Sequence, residues 1–229
     1  MLTPIFPRPI TSTELARVGL EQQIELPLAA RVEPERELPA VDQQLLAATA
    51  QLMASAGVQL SMQLHQGGMV LPMVEVFVTG GHIITAAYGR DGVWFREALD
   101  PADVKQVLMQ PFVMLPMSGT EGDASLEQPG TPEEVFAALK EGKAPEGLDA
   151  MTAAIMLHAV MAQRVLHCTF RSGDKTETAY SIEGRGCVHT LFAENGKTQL
   201  TTGSPLALIR KLNMQVITAY RDSLKAMQA

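Results

Sequence analysis

The sequence predicts an α+β fold made of two α-β-β-β-β-α pseudo-repeats, with antiparallel sheet flanked by helices. Three observations lead there. Two turn signals, Asp91-Gly92 and Asn195-Gly196, lie 104 residues apart, each between strand-like residues, as tight hairpins require. Two helix starts, Asp100-Pro101 and Ser204-Pro205, share that interval and place a side-chain acceptor at the N-cap and a proline at the first helical position. Upstream, an interval of 106 aligns Pro39 with Pro145, Leu60 with Leu166, Met62 with Cys168 and Gly67 with Gly173. Only four of the 35 positions between 74 and 108 are identical to their partners, so the argument rests on matched roles rather than on identity.

The elements follow in order. In the N-terminal segment, 1–38, Thr11 and Glu14 are spaced to cap a short helix, and prolines 27, 34 and 39 favour an extended path. The first repeat, 39–115, reads as a helix at 41–56, strands at 58–65, 72–79, 82–88 and 93–98, and a helix at 101–110. Val58, Leu60, Met62 and Leu64 alternate with Gln59, Ser61, Gln63 and His65, the period of a strand buried on one face. Val104, Val107 and Leu108 recur at helical spacing.

Residues 116–144 read as an acidic linker carrying a short helix. Seven acids there face only Lys140 and Lys143 when the count runs on to Glu146. Thr131, Pro132 and Glu134 form a helix-start signal and Gly142 a stop. The second repeat, 145–229, is expected as a helix at 147–162, strands at 164–171, 176–183, 187–193 and 197–202, and a helix at 205–224. Met151, Ile155, Met156, Ala159 and Met161 make the first of these helices apolar around much of its circumference. That pattern predicts a helix wedged between the halves. The repeats are expected to share one core, because four strands and two helices alone bury little surface.

Composition bounds the function. Of 229 residues, 46% are hydrophobic, which argues against disorder. A net charge of −7 without a Lys/Arg cluster argues against nucleic acid as a partner. The N-terminus has no basic start followed by an apolar run, and no stretch reaches the length of a membrane span, so a soluble chain without membrane insertion is expected. Two cysteines, Cys168 and Cys187, make no disulfide framework and fit a reducing cytoplasm. Strand spacing puts them about 10 Å apart across an intervening strand.

Chemistry-bearing residues are few. The histidines are His65, His82, His158, His167 and His189. Cys187 and His189 share a strand face, but structural zinc recruits four close ligands, so no metal site is expected, and no cofactor. Gly-rich stretches lack P-loop or dinucleotide spacing, and no nucleophile elbow or zinc-protease helix occurs; no catalytic residue is assigned. Trp94 and Phe95 must point to opposite faces of their strand and are the candidate partner-binding residues. His158, His167 and His189 are the candidate ligand-binding residues for a site at the junction of the repeats.

The element order, with Thr13-Glu14-Leu15, Leu26-Pro27-Leu28, the strand–turn–strand–Asp-Pro-helix run at 82–108 and its partner at 186–212, resembles the EspG family of type VII (ESX) secretion-associated proteins. The resemblance implies a cytosolic adaptor or chaperone that holds secretion substrates soluble through a central antiparallel sheet. The long sheet loop with which that family engages cargo has no counterpart here, because Thr79-Gly80-Gly81-His82 is tight. The residues themselves leave three functions open: a non-enzymatic adaptor for a protein partner, a small-ligand-binding protein or enzyme, and a self-assembling structural component.

Overall fold

The computed structural model describes residues 1–22, 40–112, 124–161, 165–184 and 187–228. Prolines 27, 34 and 39 and the first part of the acidic segment lie outside them. Ten strands are present among the described residues: β1 Leu2–Pro4, β2 Val58–Gln66, β3 Met69–Thr79, β4 His82–Gly89, β5 Gly92–Ala98, β6 Ala124–Gln128, β7 Val165–Ser172, β8 Lys175–Gly184, β9 Cys187–Glu194 and β10 Lys197–Thr202. They join one antiparallel sheet in the order β1-β5-β4-β3-β2-β7-β8-β9-β10-β6. Each half contributes a four-stranded meander, and β2 pairs with β7 from Val58↔Ser172 to His65↔Val165 to form the central seam.

The helices are α1 Ser12–Gln22, α2 Ala40–Ala54, α3 Val104–Leu108, α4 Pro132–Lys140, α5 Ala150–Met161 and α6 Leu206–Gln228. On one face of the sheet α3 and α6 cover a core that crosses the seam: Leu60, Met62, Val74 and Val76 from one half meet Cys168, Phe192, Leu208 and Leu212 from the other. On the opposite face α1 and α2 cover Phe77, Ile84 and Phe95, while α4 and α5 cover Tyr180, Ile182 and Leu191. Two helix pairs therefore stand over the outer strands.

Both capping boxes form. Thr11 N–H donates to Glu14 Oε2 at 2.9 Å and Glu14 N–H to Thr11 Oγ1 at 3.3 Å. The Thr131–Glu134 pair repeats this at 2.8 and 3.2 Å, satisfying N–H groups that have no partner inside the helix. Arg8 adds a fork onto buried Glu14, at 2.8 and 3.1 Å.

Several expectations change. The helix at 101–110 is a short 3-10 turn, Pro101–Asp103, followed by the five-residue α3. The apolar helix α5 is not wedged between the halves: its buried residues Ala153, Met156, Ala159 and Val160 face α4 and β8, and Met151 and Met161 are exposed. Part of the acidic linker is sheet, since β6 pairs with β10 from Gln128↔Thr198 to Ala124↔Thr202.

The gap-free 104-residue correspondence also fails locally, although both halves keep the order helix, four strands, helix. In the first half Gly89 pairs with Gly92, so Arg90-Asp91 is the loop; in the second Glu194 pairs with Lys197 around Asn195-Gly196. Asn195 and Gly196 both have positive φ, 51° and 75°, the mirror-image turn that suits strand twist. Gly92 serves another purpose: a Cβ there would lie 2.5 Å from the Ile10 carbonyl oxygen, where the N-terminal segment crosses β5. Gly184 likewise ends β8 opposite Cys187, whereas Gly80 lies in its turn. A bulge in β3 accounts for one residue of the change from the upstream interval of 106. Met62 pairs with Val74 but Gln63 with Pro72, leaving Met73 as an extra residue.

Candidate functional site

The β2–β3 hairpin runs past β4 on one side, while β7 flanks β2 up to His65 on the other. Pairing of β3 with β4 stops at Val74↔Ala87, while pairing with β2 continues to Met69↔Gln66. Residues 69–73 therefore have β2 on one side, and among the described residues no strand on the other. Gly67 and Gly68, with φ of 57° and 81°, allow the two-residue turn that carries the arm. Its outer strand opens with Met69, Val70 and Leu71, exposed by 59%, 53% and 37%. Consecutive exposed apolar residues on a strand edge invite pairing or docking by another chain. Pro72 removes one edge N–H and so limits indiscriminate strand addition.

Trp94 and Phe95 separate as the strand period demands. Phe95 is 3% exposed and packs edge-to-face on Phe6, with centroids 6.0 Å apart and planes at 71°; it belongs to the core and is withdrawn as a partner contact. Trp94 is 36% exposed. It pairs with Ala87, which pairs with Val74 at the base of the arm. Trp94 thus shares a sheet face with the arm's root, two strands away or about 10 Å.

The three candidate histidines do not gather. His158 is exposed on α5. His189 is fully buried on β9, its Nδ1 at 3.1 Å from Thr202 Oγ1, and burial pushes its pKa down to about 4. It lies two strands from His167. His167 instead meets His65 across the seam, their ring centroids 5.6 Å apart at 66°. Tyr180 stacks on His167 at 5.1 Å and Phe136 on Tyr180 at 4.0 Å. Lys140 Nζ sits 4.8 Å from the Phe136 centroid. Burial lowers the pKa of both seam histidines; each lowers further through Lys140, and His167 also through His65, against an opposing pull from Glu133. Both imidazoles are accordingly neutral at pH 7.

Nearby, buried Glu75 accepts from Tyr88 Oη at 2.5 Å and from Gln59 Nε2 at 3.2 Å. Burial raises its pKa and that of Tyr88, which makes this a proton-holding structural network. Cys168 is buried in the seam-crossing core and its thiol is pushed up to about 12, leaving little thiolate for nucleophilic work at pH 7. Cys187 lies on β9, separated from it by β8.

A groove of about 900 Å³ runs beside α6 over Phe170 and Phe192. Three of its polar groups bond one another: Lys211 Nζ and Gln215 Nε2 both donate to Glu177, at 3.0 and 2.8 Å. Among the described residues no three His, Cys, Asp or Glu side chains assemble as a metal-ligand group, and no described helix is long and apolar enough to cross a membrane. The arm and His65 were missed in the sequence. A signal for the arm existed, since Met69-Val70-Leu71 follows Gly67-Gly68 directly; the sign for His65 was its alternation with Leu64, which puts it on the seam's open face once β2 meets β7.

Among the described residues, fold and surface define a ten-stranded antiparallel α+β protein whose β2–β3 arm leaves an apolar outer edge unpaired, with an imidazole pair at its central seam. No protein-family model matches the chain and no curated protein matches it.

Proposed function

We propose that the chain is a non-enzymatic cytosolic adaptor or chaperone that binds a protein partner through the β2–β3 arm. The observation that carries this reading is the run Met69-Val70-Leu71, exposed beyond the last β3–β4 pair. Apolar area of that kind gains about 25 cal/mol per Å² when a partner covers it. Trp94 flanks the arm's base as a rigid aromatic anchor. The acidic chain, with no basic stripe, supports a protein rather than a nucleic acid as partner. A secretion substrate is the partner that the EspG resemblance implies, with the β2–β3 arm taking the place of that family's long loop.

The test compares the native chain with a variant carrying Met69→Ser, Val70→Ser and Leu71→Ser. Because these side chains are exposed, the variant should fold, with each change within about 0.5 kcal/mol. A stoichiometric protein partner captured from the native cytosol by the first and lost by the second supports the reading. Capture by both with equal strength moves the interface elsewhere, and recovery of a tightly held metabolite in place of a protein favours the ligand-binding alternative.

A further inference from the structure

We propose that His65 and His167 form a two-imidazole clamp for a divalent transition-metal ion of zinc, nickel or copper type, laid across the seam between the two halves. The register pairs Gln63 with His167 and His65 with Val165, so the two histidines are diagonal neighbours on one sheet face. Such neighbours lie about 7–8 Å apart at Cα, enough for two rings with an ion between them. A metal bonded at about 2.0–2.1 Å to one nitrogen of each ring sits roughly 3 Å from each ring centre. A centroid separation of 5.6 Å then corresponds to a wide tetrahedral opening at the ion.

A second observation points to a ligand independently of that spacing. His65 Nε2 is buried and has no hydrogen-bond partner, although a buried imidazole nitrogen normally finds one. Metal coordination would satisfy it. The partner ring is held in place, because Tyr180 stacks on His167 with planes 5° apart and Phe136 stacks on Tyr180. Rings fixed before the ion arrives lose little freedom on binding it. Both side chains are partly exposed, with the Nε2 atom of His65 itself covered.

Since no third His, Cys, Asp or Glu joins the pair among the described residues, water completes the coordination shell. Imidazole suits zinc, copper and nickel over calcium or magnesium. The charges around the pair have opposite effects: Glu133 favours a cation beside His167 and Lys140 opposes it. The clamp adjoins the arm, since His65 pairs with Val70.

The experiment is a thermal melt of the full chain, free of any histidine tag, at pH 7.5 with increasing Zn²⁺ or Ni²⁺. At about one hundred times Kd a single native-state site should raise the melting temperature by roughly 5–10 °C. The rise should vanish in His65→Gln and in His167→Gln, and Lys140→Gln should tighten the site. It should also disappear at pH 5, where protons compete for the nitrogens. No saturable rise in the native chain, or the same rise in both histidine variants, overturns the proposal. Should either variant fail to fold, Cu²⁺ electron paramagnetic resonance of the native chain gives a separate readout: two nitrogen donors are expected, and none or one contradicts the clamp.

Discussion

Lowering the pH from 7.5 to 4.5 should remove about 2–3 kcal/mol of stability through His189 alone, a magnitude that follows from 1.36 kcal/mol per pKa unit. The side chain is 0% exposed and held near Thr202 Oγ1, and its pKa is pushed down to about 4. In the unfolded chain a histidine takes up its proton near 6.5. Between these values the unfolded state binds more protons than the folded state, so stability is present above about 6.5 and is lost as pH falls toward 4. His65 and His167 shift in the same direction and steepen the loss. The perturbation that isolates His189 is His189→Gln, compared with the native chain by urea unfolding at both pH values. The variant should be less stable at pH 7.5 but should lose about 2–3 kcal/mol less than the native chain on acidification. Parallel pH profiles for the two chains would refute the assignment of the buried neutral imidazole.

The remaining predictions test the buried carboxyl and the turns. Glu75 has a raised pKa, so its contribution is full below about 4.5 and declines as pH rises through the folded value; Glu75→Gln should abolish that decline, read by denaturant melts from pH 5 to 9. Tyr88→Phe removes the 2.5 Å donor to Glu75 and should cost about 1–3 kcal/mol at neutral pH by the same melts. Asn195→Ala should cost about 1–2 kcal/mol, because Asn195 holds a left-handed φ of 51° that alanine resists. Asp91→Ala should cost much less, since positive φ is confined there to Gly92; equal costs at the two turns would restore the one-to-one turn correspondence.

What was legible in the sequence was local. The alternation at Val58–Leu64, the capping boxes at Thr11 and Thr131 and the two Pro-initiated helix starts each carry their physical reason within a few residues, and β2, α1, α4 and α6 form where they predict. The misses depend on contacts distant in sequence. Gly92 looked like a turn centre because the crossing of Ile10 over β5 cannot be seen along the chain. The edge strand β6 was hidden within an acidic segment, yet Leu126 packs against the core under α4 and α5 and Gln128 clamps the Glu146 backbone at 2.9 Å twice. The bulge at Met73 accounts for one residue of the change of interval between the halves, and nothing local in the sequence marks it. The junction histidines illustrate the same limit: His167 and His65 meet because β2 and β7 form the seam, whereas His189 belongs two strands away. The arm went unread because nothing local to Met69-Val70-Leu71 tells that β4 stops short of it.

The most direct test of the adaptor reading is the affinity of any protein captured by the native chain, once purified, for the native chain and for the Met69→Ser, Val70→Ser, Leu71→Ser variant, measured side by side with matched melting curves. If the arm is the binding surface, the variant melts as the native chain does and binds at least roughly thirty-fold more weakly, the loss expected when hot-spot residues are removed. An unchanged affinity in a folded variant would contradict the account.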